Sequence, residues 1–152
     1  MEKRHIEGFD IIGIKTRTAN DGRAGKDIPM LWGKFMENGV KDRIPNKMDD
    51  SIYCLYSNYE GDHLQPYDVI IGCKVSATDQ IPDGMILHHV DTGNSAKFVA
   101  KGSLVKGEAV VKTWFQIWDA DINRKFSTDY EVYDERSSDI QNAEVDIFVS
   151  VN

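Results

Sequence analysis

The sequence predicts an α+β fold organised as two β-α-β-β units, with helices covering one face of the strands. Three observations carry this expectation. Two segments place apolar residues at helical spacing, each is followed by a pair of strand-like runs, and a chain of 152 residues suits one compact domain.

Residues 9–16 are rich in β-branched side chains and run into the Asn20-Asp21-Gly22 turn signal, which reads as a strand. A helix follows. Asp27 is placed to cap it and Pro29 to occupy its first turn, while Leu31, Trp32, Phe35 and Met36 recur at one-turn spacing until Asn38-Gly39 stops it. Residues 51–57 and 67–75 are the next two strands, joined through Glu60-Gly61-Asp62 and Pro66. Beyond a connection over 79–84, residues 85–90 and 96–100 read as strands, with Asp91-Thr92-Gly93-Asn94 as a hairpin-type turn between them. A second helix starts near Glu108, whose charge suits the positive end of the helix dipole, and Val111, Trp114, Phe115, Trp118 and Ile122 keep its spacing. Residues 129–134 and 144–151 supply two closing strands.

The halves, about 7–76 and 85–152, align as a degenerate repeat within one domain spanning 1–152. Trp32 falls over Trp114, and Tyr53-Cys54-Leu55-Tyr56 over Tyr130-Glu131-Val132-Tyr133. Identity between the halves is slight, so the alignment alone does not decide between a repeat and two unrelated units of the same type. If the repeat is real, the junction of the units is a natural groove.

Composition narrows the function classes. The chain is 41% hydrophobic and 28% charged, as in ordinary globular proteins. Its 18 Lys and Arg against 25 Asp and Glu give a net charge of −7, which argues against direct nucleic-acid binding, since that affinity rests on basic residues that displace counterions. A neutral or cationic small ligand suits the balance better. Cys54 and Cys73 read as reduced thiols, and the charged start Glu2-Lys3-Arg4-His5 has no apolar run of a signal peptide or membrane span. A cytoplasmic protein without a membrane partner is expected.

Several enzyme signatures fail on spacing. In Gly22-Arg23-Ala24-Gly25-Lys26-Asp27 the glycines are too close for a phosphate-binding loop, and Asp27 replaces the hydroxyl residue that would hold magnesium. Gly102-Ser103-Leu104-Val105 lacks the nucleophile elbow of serine hydrolases. His88 and His89 point to opposite faces of one strand, and His63 stands alone in a loop, so neither a metal site nor a cofactor is expected.

Glu131 is the informative position. Alternation along 129–134 sends Tyr130 and Val132 to one face, the face a helix would cover, and Glu131 with Tyr133 to the other. The aligned strand groups Cys54 with Tyr56. Two readings stay open on this pattern: a solvated outward glutamate, or an acidic centre with aromatic walls for a flat, apolar ligand that carries a positive or donor group. Trp32, Trp114 and Trp118, at helical spacing, read as core before they read as ligand wall.

Residues 53–62, the 67–72 strand, Trp114-Phe115-Gln116-Ile117-Trp118, the run 128–136 around Tyr130-Glu131-Val132-Tyr133, and residues 143–149 resemble, in order, the GyrI-like small-molecule-binding family. That family also supplies the effector-binding domain of AraC-type and multidrug-sensing transcription regulators. The resemblance implies two β-α-β-β units related by pseudo-twofold symmetry, with a ligand groove between them; the amphipathic helices and the alternating strands place that groove on the face opposite the helices. It also implies a buried glutamate that meets cationic, lipophilic compounds in an aromatic pocket, a place that Glu131 matches. The expected ligand-binding set is then Glu131, Tyr133, Tyr56, Trp114, Trp32 and Cys54, taking small aromatic or cationic hydrophobic compounds.

Since the recognisable domain occupies nearly the whole chain, a stand-alone member without a helix-turn-helix is expected. Some stand-alone relatives hydrolyse the cyclopropane ring of DNA-alkylating antibiotics. In that version Glu131 is the base that activates water, and Tyr133 or Tyr56 holds the oxygen on which charge develops. Other relatives bind DNA gyrase, which is the third activity that the resemblance implies.

Overall fold

The computed structural model describes residues 1–152. Along the chain run β1 (Glu2–Ile6), β2 (Phe9–Thr18), α1 (Ala24–Glu37), α2 (Val40–Arg43), β3 (Ile52–Ser57), β4 (Tyr67–Val75), β5 (Ile86–Val90), β6 (Gly93–Gly102), α3 (Glu108–Asp119), β7 (Thr128–Tyr133) and β8 (Ala143–Val151). The strands form one sheet in the order β1-β6-β8-β7-β3-β4-β2-β5, antiparallel at every pairing. This is the α+β fold of the sequence reading. The six inner strands are a mirrored series, β6-β8-β7 against β2-β4-β3, so the two β-α-β-β units meet at the β3–β7 ladder.

The two flanking strands exchange units. β1 leads into β2 but pairs with β6, and β5 leads into β6 but pairs with β2. Phe9 faces Val90, and Ile6, three residues back on one strand, faces Gly93, three residues on along the other, so both ladders keep one register. Each long strand is thus a single run bent at Glu7-Gly8 or Asp91-Thr92. The corner is tied by the Gly8 N–H, which donates to Thr92 Oγ1 at 2.8 Å.

This corrects the reading of residues 91–94 as a hairpin turn, because β5 and β6 do not pair with each other. β1 itself has no signal in the sequence, since four of its five residues are exposed and no alternation marks a face.

The first helix also starts a turn earlier than Asp27. The Arg23 N–H donates to Asp21 Oδ1, and the Lys26 and Asp27 N–H groups donate to the Arg23 carbonyl, so the helix nucleates there and Pro29 lies inside it. Its stop is where the sequence places it, with Gly39 in the left-handed region at φ 58°. Where β2 crosses β4, Gly13 faces Gly72, and a Cβ on either would overlap a carbonyl oxygen of the facing strand.

Burial follows the pleat. Ile12, Cys54, Val69, Ile71 and Cys73 form one core beneath α1 with Leu31 and Phe35, while Val145, Ile147 and Val149 form another beneath α3 with Val110 and Ile117. The alternate residues Phe9, Ile11, Tyr53, Leu55, Ile70 and Tyr130 form a third core on the reverse face. Both faces of the central strands are therefore covered, one by helices and one by the bent strands. No helix is long and apolar enough to cross a membrane.

Candidate functional site

Glu131 lies in the middle of β7, directly opposite Cys54 on β3, and is 1% exposed. Of the two readings that alternation left open, the solvated one is excluded. Three donors converge on the carboxylate: Tyr56 Oη and Trp114 Nε1 each reach Oε2 at 2.7 Å, and Tyr133 Oη reaches Oε1 at 2.6 Å. Tyr133 is two residues along the same strand, Tyr56 comes from β3, and Trp114 descends from α3.

The tyrosines are held in turn by the helices. The Trp32 ring of α1 meets Tyr133 edge-on at 4.9 Å, and the Trp114 ring of α3 meets Tyr56 edge-on at 5.3 Å. Each helix thus braces, through the same position of the repeat, a tyrosine of the opposite unit.

The structure brings together all six residues singled out from the sequence: Glu131, Tyr133, Tyr56, Trp114, Trp32 and Cys54. It corrects the side on which they lie. Trp32 and Trp114 belong to the helices and touch this cluster, so the site is on the helix-bearing face, where side chains of α1 and α3 both reach the central strands. The Tyr130 and Val132 face, expected beneath a helix, packs instead against Phe9 and its neighbours from the bent strands. Alternation tells which residues share a face and not what covers it.

Electrostatics follow from burial. Desolvation pushes the Glu131 carboxyl above its ordinary value, and the hydrogen bonds from Tyr133, Trp114 and Tyr56 offset part of that rise. Burial, reinforced by the Glu131 charge, drives the Cys54 thiol well up. The Tyr56 and Tyr133 hydroxyls are likewise raised well above ordinary tyrosine, chiefly by burial, and so remain donors at neutral pH.

Sequence reasoning missed the neighbouring residues Asp129, Arg124, Tyr59 and Tyr67. The same alternation that grouped Glu131 with Tyr133 also puts Asp129 on their face, so that signal was available. Tyr67 stands at the start of β4 and its ring meets that of Tyr56 at 5.9 Å. Arg124 lies in the loop before β7, where no periodicity marks it.

The fold is thus an antiparallel sheet of two mirrored units with a buried acid at their junction. Residues 4–151 match the Cass2 family, described as integron-associated effector binding protein, and the chain belongs to that family. YobU of Bacillus subtilis (strain 168) is 28% identical over 155 residues, covering 97% of this chain and 96% of that protein. The integron cassette protein VCH_CASS2, from the mobile metagenome of Vibrio cholerae, superposes with a TM-score of 0.74 at 28% identity, covering 99% of this chain and 95% of its own. SAV2435, solved bound to tetraphenylphosphonium, superposes with a TM-score of 0.80 at 17% identity over 99% of this chain and 93% of its own.

Proposed function

We propose that this protein binds aromatic, lipophilic cations between α1 and α3, with Glu131 as the countercharge and Trp32, Trp114, Tyr56 and Tyr133 as the walls. One observation carries the reading. Three carboxylates in the chain are buried, and two of them have an arginine: Asp68 meets Arg17 at 3.0 Å and Asp129 meets Arg124 at 2.7 Å. Glu131 has only neutral donors. A buried charge without a counterion is costly, and a bound cation supplies what the chain withholds.

Aromatic faces add about 0.5–2 kcal/mol for each good cation contact, so a ligand combining charge and flat rings gains from both features of the site. The fold neighbour solved with tetraphenylphosphonium, itself a cation ringed by phenyl groups, supports the same ligand class.

Binding without turnover is favoured over hydrolysis. The hydroxyls of Tyr56 and Tyr133 both donate to Glu131, so neither is free to hold a developing oxyanion in this arrangement. The geometry contains nothing that argues for gyrase as a partner.

The experiment is a titration with tetraphenylphosphonium followed by tryptophan fluorescence, with the ligand then recovered and weighed by mass spectrometry. Saturable quenching, one ligand per chain and an unchanged ligand mass are expected. No saturable change in fluorescence would refute the reading.

A further inference from the structure

Asp129 precedes Glu131 by two residues on β7, so both carboxylates lie on the helix-bearing face. Its environment is different. Arg124 Nη2 at 2.7 Å and Tyr59 Oη at 2.6 Å donate to Oδ2, while the Ser150 N–H at 2.8 Å and Ser150 Oγ at 3.2 Å donate to Oδ1.

The Arg124 side chain is only 8% exposed, and its guanidinium lies over the Phe126 ring, 4.3 Å from the centroid. Of its nitrogens only Nη2 is engaged. Nε and Nη1 are buried and donate to no atom of the protein. Buried donors are almost always paired, so this guanidinium is an incomplete hydrogen-bonding group.

A row of rings connects it to the Glu131 site. Trp114 meets Tyr56 at 5.3 Å, Tyr56 meets Tyr67 at 5.9 Å, Tyr67 meets Tyr59 at 5.5 Å, and Tyr59 meets Phe126 at 5.5 Å. Glu131 stands at one end of this row and the unused donors of Arg124 at the other. Phe126, which covers the guanidinium, is held at φ 57°, in the left-handed region that bulky residues rarely enter.

We infer that Arg124 is a second recognition point of the same site, taking a carbonyl-type oxygen on the end of the ligand remote from its cationic centre. This inference rests on the lipophilic-cation reading of Glu131. A neutral acceptor is favoured over an anion because Asp129 already balances the Arg124 charge, so the pair offers directed N–H donors and no net charge. The ligand class narrows accordingly, from lipophilic cations in general to those with a ketone, ester or amide oxygen along an aromatic frame.

The test uses the whole protein and a series of trimethylammonium ligands that end in an aryl ketone, with spacers from short to long. Each ketone is paired with the counterpart in which the carbonyl is a methylene. At one spacer length the ketone should bind about tenfold more tightly than its counterpart, the value of one well-made hydrogen bond, and at other lengths the two should bind alike. Arg124→Lys keeps a cation on Asp129 but removes the planar fork of donors, and should bring each ketone to the affinity of its methylene counterpart in the same variant.

Equal binding of ketone and methylene at every spacer in the wild-type protein would overturn the inference and leave the Glu131 reading standing. A preference that survives Arg124→Lys would also overturn it, since the oxygen would then be held elsewhere. If neither series binds, or if Glu131→Gln binds both as well as wild type, the underlying reading fails and this inference with it.

Discussion

Cys54 and Glu131 face each other across the β3–β7 ladder, and each occupies in its own unit the position that the other holds in the second. The junction of the two units therefore passes through a thiol and a carboxylate where strict symmetry would put two identical groups. Two carboxylates at the spacing of a directly opposed pair would not both ionise. A small neutral thiol lets the single acid carry its charge.

That relationship makes Cys54 chemically inert. Burial and the adjacent Glu131 charge both drive its thiol up, and burial pushes Cys73 up to about 11. In native protein at neutral pH neither thiol should react with Ellman's reagent over minutes, and both should react once guanidinium unfolds the chain. Rapid labelling of Cys54 in the folded protein would contradict the assigned environment.

The three donors to Glu131 are not equivalent. Tyr56 and Trp114 share Oε2, whereas Tyr133 serves Oε1. Tyr133→Phe should cost about 2–3 kcal/mol and Tyr56→Phe about 1–2 kcal/mol, as hydrogen bonds to a charged acceptor typically do. Urea denaturation of the two variants measures the difference. Equal costs would mean that the two oxygens are interchangeable in the folded protein.

Stability should respond to pH through Glu131. The folded carboxyl lies above the ordinary value of 4.5 because of burial. Between those two values the native state keeps a proton that the unfolded chain has lost. The contribution of Glu131 to stability is thus fully present below the ordinary value, falls as pH rises, and levels off above the folded value. Urea midpoints measured from about pH 4 to about pH 8 should show this decline in wild type and a flatter profile in Glu131→Gln. Affinity for a cation should rise over the same interval, because the ligand favours the ionised form. A wild-type profile parallel to that of the variant would contradict the raised carboxyl.

Much of this arrangement was legible in the sequence, for identifiable reasons. The strands β2, β3, β4, β7 and β8 show in β-branched and aromatic content between turn signals, and α1 keeps helical spacing through Leu31 and Phe35. In α3 the spacing located the helix but picked the wrong stripe, because Val111 and Phe115 are exposed, Ile122 lies beyond its end, and Val110, Thr113 and Ile117 face the sheet. Alternation also grouped Glu131 with Tyr133. It failed at β1, an exposed edge that is a strand only because it continues β2 around Gly8 and pairs with β6. It failed again on which face the helices cover, because both faces of β7 are buried and a period of two is blind to the covering element. Arg124 left no trace at all, since its partner Asp129 is recognised only once the loop closes on β7.

On the proposed function, the buried charge of Glu131, left without a cation by the chain, holds the ligand's cation. Isothermal titration calorimetry with tetraphenylphosphonium at neutral pH, on wild type and on Glu131→Gln shown to be folded by circular dichroism, tests it most directly. The variant should bind at least about tenfold more weakly, a loss of about 1.4 kcal/mol or more. Equal affinity of the two proteins would contradict it.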